Sequence, residues 1–158
     1  MLNAADKSIA APILALDLGQ KRVGAAVSDA LSISITRLKA IPRTNWKQLL
    51  RDVDGLIQSF DAQTVVIGLP LCLNGSAGDA AEEVRSVAGK FAMSLKVPVY
   101  LQDERLSSRE AEENLRAAGH RGVEVSELVD SEAAAVILSD FLSAGQKRIL
   151  VSGSSTNT

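Results

Sequence analysis

Cysteine and histidine are almost missing from this chain, which contains only Cys72 and His120. A single cysteine excludes an internal disulfide framework and a cysteine-rich zinc site. A single histidine argues against histidine-based metal sites and against a Ser-His-Asp triad. Any chemistry must therefore rest on carboxylates, lysine, arginine, serine or the backbone.

Aromatic residues, a strong net charge and long apolar runs are also scarce. Aromatic residues make up 3% of the chain, so a base-stacking platform for nucleic acid is unsupported. The net charge is −2, so any nucleic-acid-binding surface must be a local patch. No apolar run reaches membrane-spanning length and the first residues do not resemble a signal peptide. We therefore expect a cytoplasmic protein with no membrane partner.

The length of 158 residues suffices for one domain with its own core. We expect a flexible leader at residues 1–12, a folded domain at 13–143 and a polar tail at 144–158. No internal repeat or linker divides the chain.

Apolar periodicity predicts the order β-β-β-α-β-α-β-α-α. The predicted strands are 13–18, 21–28, 31–41, 64–69 and 98–102, and the helices include one from Trp46 that is capped by Thr44 or Asn45, one that starts near Ser107 and one at 129–143. Three hairpin-linked strands followed by two crossover strands predict an α/β fold with a mixed five-stranded sheet and helices on both faces.

Asp17 stands out because it lies near the end of the apolar run from Ile13 to Gly19. A lone carboxylate in a buried strand is costly unless a cation or another partner balances its charge. The alternative is an aspartate that stabilises the following turn through its own backbone. In α/β sheets, sites form at the carboxyl ends of parallel strands, near where Asp17 is expected.

Two other acidic positions are expected near the same edge of the sheet. Asp130 falls on the apolar face of the last helix, where it is a site residue or an N-cap, and capping would not exclude metal binding by the same side chain. Asp103 and Glu104 end the predicted strand at 98–102, and adjacent strand residues point to opposite faces. One of that pair is therefore expected to face Asp17 while the other faces away or binds Arg105.

Oxygen ligands of this kind suit hard divalent cations such as Mg²⁺ or Mn²⁺. Two such ions can activate a water and stabilise the leaving oxygen when a phosphodiester is cleaved. Basic residues near the acids are candidates for binding phosphate: Lys21, Arg22, Arg105 and Arg109. The alternatives are a solvated hairpin for the first two and pairing with a neighbouring acid for Arg105.

Four segments, in order, resemble the motifs of the YqgF (RuvX) family. They are LDLGQKRVGAAVSD at 16–29, IGLP at 67–70 followed by Asn74-Gly75, DERLSS at 103–108, and VDSEAA at 129–134 continuing to Leu142. The resemblance covers about residues 13–142, and the four motifs are specific as a set.

This resemblance implies a ribonuclease H-like fold and a nuclease that matures the 5′ end of pre-16S rRNA. Carried over by position, it makes Asp17, Glu104 and Asp130 the catalytic carboxylates and metal ligands, with Asp103 less favoured. It also implies nucleic acid as partner, structured RNA first, in the setting of a pre-ribosomal particle. In one respect the chain departs from the general ribonuclease H pattern, because its fourth strand ends in Gly68-Leu69-Pro70 without an acid.

Three other functions stay open at this stage. The first is a Holliday junction resolvase, which cuts branched DNA by the same chemistry. Such an enzyme normally needs two active sites and is therefore expected to be a homodimer, whereas the RNA nuclease can be a monomer. A non-catalytic RNA-binding factor in ribosome assembly would bind RNA and release no product. An actin-like ATP-binding domain is disfavoured because one small domain lacks a second lobe.

Overall fold

The computed structural model describes residues 9–70, 78–103, 117, 123–144 and 148–151, with the backbone alone at 123–130 and 144. This part of the chain forms strands and helices in the following order: β1 (Ile13–Leu18), β2 (Arg22–Ser28), β3 (Ile35–Pro42), α1 (Trp46–Phe60), β4 (Thr64–Leu69), α2 (Asp79–Ser94), β5 (Val99–Asp103), α3 (Val123–Ala144) and β6 (Arg148–Leu150). Among the described residues, no helix has the length and hydropathy of a membrane span.

The strands form one mixed sheet in the order β3-β2-β1-β4-β5-β6. The first three strands are antiparallel neighbours, β1, β4 and β5 are parallel, and β6 returns antiparallel to β5. Because β1, β4 and β5 are parallel neighbours, their carboxyl ends meet at one edge of the sheet.

The two faces of the sheet pack against different helices. On one face, Leu14 and Leu16 of β1 belong to an apolar cluster with residues of α1 and α2, among them Val53 and Phe91. On the other face, alternate residues of the same strands pack against α3 in a second cluster: Ile13, Ala15, Ala26, Val66, Ala134, Ala135, Ile137, Leu138 and Phe141. We call these the α1/α2 face and the α3 face.

The predicted α/β fold is confirmed, and several details match. Strands β1 and β4 have the predicted bounds. Helix α1 is capped by Asn45, whose side chain accepts a hydrogen bond from the Gln48 amide. The strand count differs, since the sheet has six strands and five were predicted. Strand β6 contains only three residues, too few for a repeating pattern to reveal it.

The start of the third strand was also predicted wrongly. Leu31 and Ile33 alternate with serines as in a half-buried strand, yet they are 75% and 78% exposed and precede β3. The Asp29 carboxylate accepts hydrogen bonds from the amides of Ile33 and Ser34 at 2.7 and 3.1 Å. These bonds form a turn in which Ser32 adopts a left-handed conformation with φ of 58°, so the strand begins only after the turn.

Candidate active site at the carboxyl end of the sheet

Asp17 lies at the carboxyl end of β1 and is half-buried. Side chains alternate along a strand, and Asp17 has the parity of Ile13 and Ala15, which pack on α3. The carboxylate therefore belongs to the α3 face.

Glycines occupy the strand positions beside Asp17. On β2, the residue in register with Asp17 is Gly24. On β4, Leu16 pairs with Ile67, so the next residues along the two strands are Asp17 and Gly68. Both glycines are buried. The space beside the carboxylate on the α3 face thus contains no side chain from either flanking position.

The β1–β2 hairpin lies directly after Asp17. The amide of Gly19 donates to the Arg22 carbonyl at 3.0 Å and closes a tight turn. Arg22 has the parity of Gly24 and Ala26, so it belongs to the α3 face together with Asp17. Lys21 is exposed in the turn. Both predicted phosphate-binding residues of this segment therefore lie beside Asp17 in the chain, and Arg22 shares its face.

Arg43 fixes this hairpin and is a residue that no sequence motif predicted. Its guanidinium donates to the Gly19 carbonyl at 2.8 Å and to the Glu83 carboxylate of α2 at 3.0 Å. Its own amide donates to the Lys21 carbonyl at 2.9 Å. Arg43 is thus a positioning residue for the turn after Asp17. No local pattern marked it, because its partners are 22 or more residues away in sequence.

Helix α3 is anchored to β3 next to residue 130. The Glu132 carboxylate is buried and accepts two hydrogen bonds from the Arg37 guanidinium, which is about half exposed. This pairing raises the pKa of Arg37 above its usual value. The Ser131 hydroxyl donates to the Leu38 carbonyl. Two successive residues of α3 are therefore tied to two successive residues of β3.

These anchors define the height of α3 on the sheet. Leu38 is in register with Ala25, and Ala25 is in register with Leu16. Asp17 is the next residue after Leu16, so Ser131 is held one row from the row of Asp17. The backbone of Asp130 precedes Ser131 in α3 and therefore lies at the same end of the sheet as Asp17.

Helix α3 starts earlier than predicted, and this changes the interpretation of Asp130. The helix includes Val123, whereas the prediction began it at Val129. The added first turns contain valines and a serine, which are weak helix formers, and so resembled a loop. Asp130 lies inside the helix, where it cannot serve as the N-cap. The capping explanation for this acid is wrong.

The acidic pair at the end of β5 is described only in part. Asp103 is the last residue of β5 and has the parity of Val99 and Leu101, which belong to the α1/α2 face. It is therefore on the opposite face from Asp17. Glu104, Arg105 and Arg109 lie outside the described residues, as does the helix predicted to start near Ser107.

Only some of the predicted metal ligands are among the described side chains. Within them, no three acidic, histidine or cysteine side chains form a group able to hold a metal. Asp17 supplies one carboxylate on the α3 face. A second oxygen in the same region belongs to Gln102 of β5, which is 3% exposed and whose Oε1 has no hydrogen-bond partner in the described structure. Both are hard oxygen donors of the type that Mg²⁺ and Mn²⁺ bind.

Comparison with known proteins identifies the family. Residues 11–144 match the sequence model of RuvX, described as Holliday junction resolvase. The chain belongs to the RuvX family. A RuvX relative in Gloeothece citriformis, named "Putative pre-16S rRNA nuclease", is 40% identical over 82% of this chain and 85% of that protein. Another with the same name, in Chloroflexus aurantiacus, is 37% identical over 84% and 86% of the two chains.

The fold of this RuvX protein is also similar to a solved structure of Thermus thermophilus RuvC in complex with a Holliday junction substrate. The TM-score is 0.53 at 15% identity, and the alignment covers 87% of this chain and 98% of that one. At this identity the likeness shows the fold alone. The predicted ribonuclease H-like fold and the predicted family are both confirmed.

Proposed function

We propose that this chain is a metal-dependent endonuclease that cleaves phosphodiester bonds of precursor 16S rRNA during maturation of its 5′ end. The observation that carries the proposal is Asp17, placed on the α3 face between two glycine positions, with α3 anchored beside it next to residue 130. The relatives named as pre-16S rRNA nucleases supply the substrate class.

Glu104 is the proposed third acid of the site. Asp103 belongs to the α1/α2 face and so does not share the face of Asp17. The motif resemblance favours its neighbour, Glu104, as the acid of the pair that acts in the site. We propose Asp17, Glu104 and Asp130 as the catalytic carboxylates and as the ligands of Mg²⁺ or Mn²⁺.

The cation, when bound, would activate a water and stabilise the leaving oxygen. The residues of the chain do the rest. Lys21 and Arg22 follow Asp17 in the hairpin, and with Arg105 and Arg109 they are the proposed contacts to substrate phosphates. Arg43 holds the hairpin carbonyl of Gly19 and so orients Lys21 and Arg22. We propose that the protein acts in the cytoplasm, on structured RNA or a pre-ribosomal particle.

The test is cleavage by the purified protein of a 5′-extended 16S rRNA fragment, titrated with Mg²⁺ and Mn²⁺. We expect a defined product only with a divalent cation and none from Asp17→Ala, with the variant still folded. An Asp17→Ala protein that cleaves at the normal rate contradicts the proposal. RNA binding without a metal-dependent product favours the non-catalytic assembly factor instead.

Resolution of branched DNA is the second candidate, because the matching family is described as a Holliday junction resolvase. A junction needs two cuts, so this function favours a homodimer with two sites. A synthetic four-way DNA junction in the same metal titration separates the two substrates. Faster cleavage of the junction than of the RNA, by a dimer, supports the resolvase.

A further inference from the structure

Five polar or charged side chains are buried among the described residues, and all lie on α3 or on the strand positions that face it. Four of them have partners. Ser28 accepts from the Ile13 amide at 2.9 Å and Thr64 donates to the Ala10 carbonyl at 2.7 Å. Ser131 and Glu132 form the bonds to β3 described above. The fifth side chain is Gln102.

Gln102 is the exception because its Oε1 accepts no hydrogen bond from any described group. The residue is 3% exposed, so bulk water does not compensate. A buried carbonyl without a partner destabilises a fold, and native proteins contain few of them. Methionine or leucine would fill the same volume without this cost. We therefore expect the Gln102 oxygen to be satisfied by a ligand that binds to the folded protein.

The position of Gln102 indicates where that partner lies. Gln102 is in register with Gly68 on β4, and Gly68 follows Ile67, the partner of Leu16. Asp17 and Gln102 thus stand on the same row of the α3 face, separated by two strand spacings of about 4.8 Å each. Between them is a glycine, so no side chain from β4 separates the carboxylate from the amide.

We propose that Gln102 provides a neutral oxygen ligand to the divalent cation held by Asp17, either directly or through one bound water. This inference rests on the proposed function. Side-chain amide oxygens bind hard cations alongside carboxylates. The chain lacks an acid at the end of its fourth strand, where Gly68 stands, and the glutamine on the next strand supplies an oxygen on that row.

The experiment measures Mn²⁺ affinity by calorimetry on the free protein, without nucleic acid, together with the melting temperature of the metal-free protein. For Gln102→Met, which matches the volume and removes the oxygen, we expect Mn²⁺ to bind about 10- to 100-fold more weakly. The metal-free melting temperature should stay equal or rise. For Gln102→Glu, we expect a lower metal-free melting temperature that Mn²⁺ restores.

Unchanged Mn²⁺ affinity in Gln102→Met, with a higher melting temperature, overturns the proposal and makes the amide a packing imperfection. If Gln102→Met does not fold, Gln102→Asn decides in the same way, because it keeps the amide but withdraws it by one methylene. Asp17→Asn separates the two proposals. If Mn²⁺ binds more weakly to Asp17→Asn but with unchanged affinity to the Gln102 variants, only the role of Gln102 as a ligand is overturned. If Mn²⁺ affinity is unchanged in all of these variants, the proposed metal site itself is overturned.

Discussion

The two faces of the sheet are built from different side chains. The α1/α2 face buries large apolar residues from every central strand, among them Leu14, Leu16, Ile67, Leu69 and Leu101. The α3 face at the carboxyl end has Ala15, Gly24, Ala26 and Gly68 instead, with polar residues between them. The same strands thus carry a bulky apolar layer on one side and, apart from Ile13 and Val66, mostly small or polar residues on the other.

This difference separates two tasks. Large apolar side chains stabilise the fold through burial on the α1/α2 face. Small residues on the α3 face let the helix approach the strands and leave room beside Asp17. A change on the first face should therefore affect stability more than activity, and a change on the second should affect both or activity alone.

The largest expected effect concerns the two acids at the end of β5. Glu104→Gln removes a proposed metal ligand and should lower cleavage of the rRNA fragment by more than about 100-fold, since even outer partners of a metal site are worth 10- to 100-fold. Asp103→Asn is the matched control, because Asp103 belongs to the α1/α2 face. It should retain activity within a few-fold. Equal losses in both variants would contradict the assignment of faces.

Substitutions on the two faces of the sheet test this division of tasks. Ile67→Ala on the α1/α2 face should destabilise the protein by about 2–5 kcal/mol and leave cleavage nearly normal wherever the protein is folded. Ala134→Leu overpacks the α3 face and should lower the free energy of unfolding by about 1–3 kcal/mol. It should lower cleavage more than Ile67→Ala does. Urea denaturation and single-turnover cleavage measure the two effects. A greater loss of activity in Ile67→Ala would reverse the roles of the faces.

The anchor between α3 and β3 should have a smaller effect. Arg37→Met leaves Glu132 buried without its ion-pair partner. Because the Arg37 side chain is 53% exposed, we expect a loss of about 1–2 kcal/mol, below that of a fully buried pair. Cleavage should fall a few-fold as α3 loosens next to Asp130. Unchanged stability and activity would show that the Ser131 bond is a sufficient anchor.

The smallest effect is expected in the turn before β3, which belongs to neither layer. Hydrogen bonds from the Ser34 and Ile33 amides lower the pKa of Asp29 below its ordinary 3.8. The resulting stabilisation is present above the ordinary pKa and is lost as the pH falls through the lower folded value. In Asp29→Asn, the melting temperature should fall less as the pH is lowered, and Mn²⁺ binding should be unchanged. A series of melting temperatures at different pH values measures this effect.

The sequence predicted those elements whose signals are local. Strands β1 and β4 are continuous apolar runs ended by glycine or proline, and Asn45 precedes a clear helical stripe, so all three were correct. Asp17 was found because an acid interrupts an apolar run. The alternation of Leu31 and Ile33 with serines led to a wrong start for the third strand. The turn that the Asp29 carboxylate stabilises has the same alternating sequence as a half-buried strand.

Other features depend on pairings that no local pattern contains. Strand β6 forms because three residues pair with the edge of β5. Arg43 acts through Gly19 and Glu83, which are distant in sequence. Gln102 becomes notable only when its burial and its row beside Gly68 are known. The motif resemblance supplied Glu104 and Asp130, which periodicity alone left undecided.

Anomalous diffraction from crystals grown with Mn²⁺ locates the metal site. We predict a manganese peak on the α3 face at the carboxyl end of β1, within coordination distance of Asp17, Glu104 and Asp130. Asp17→Asn crystals under the same conditions should lose the peak. A structure in which these three carboxylates lie on separate surfaces, with no manganese near Asp17, would contradict a shared metal site.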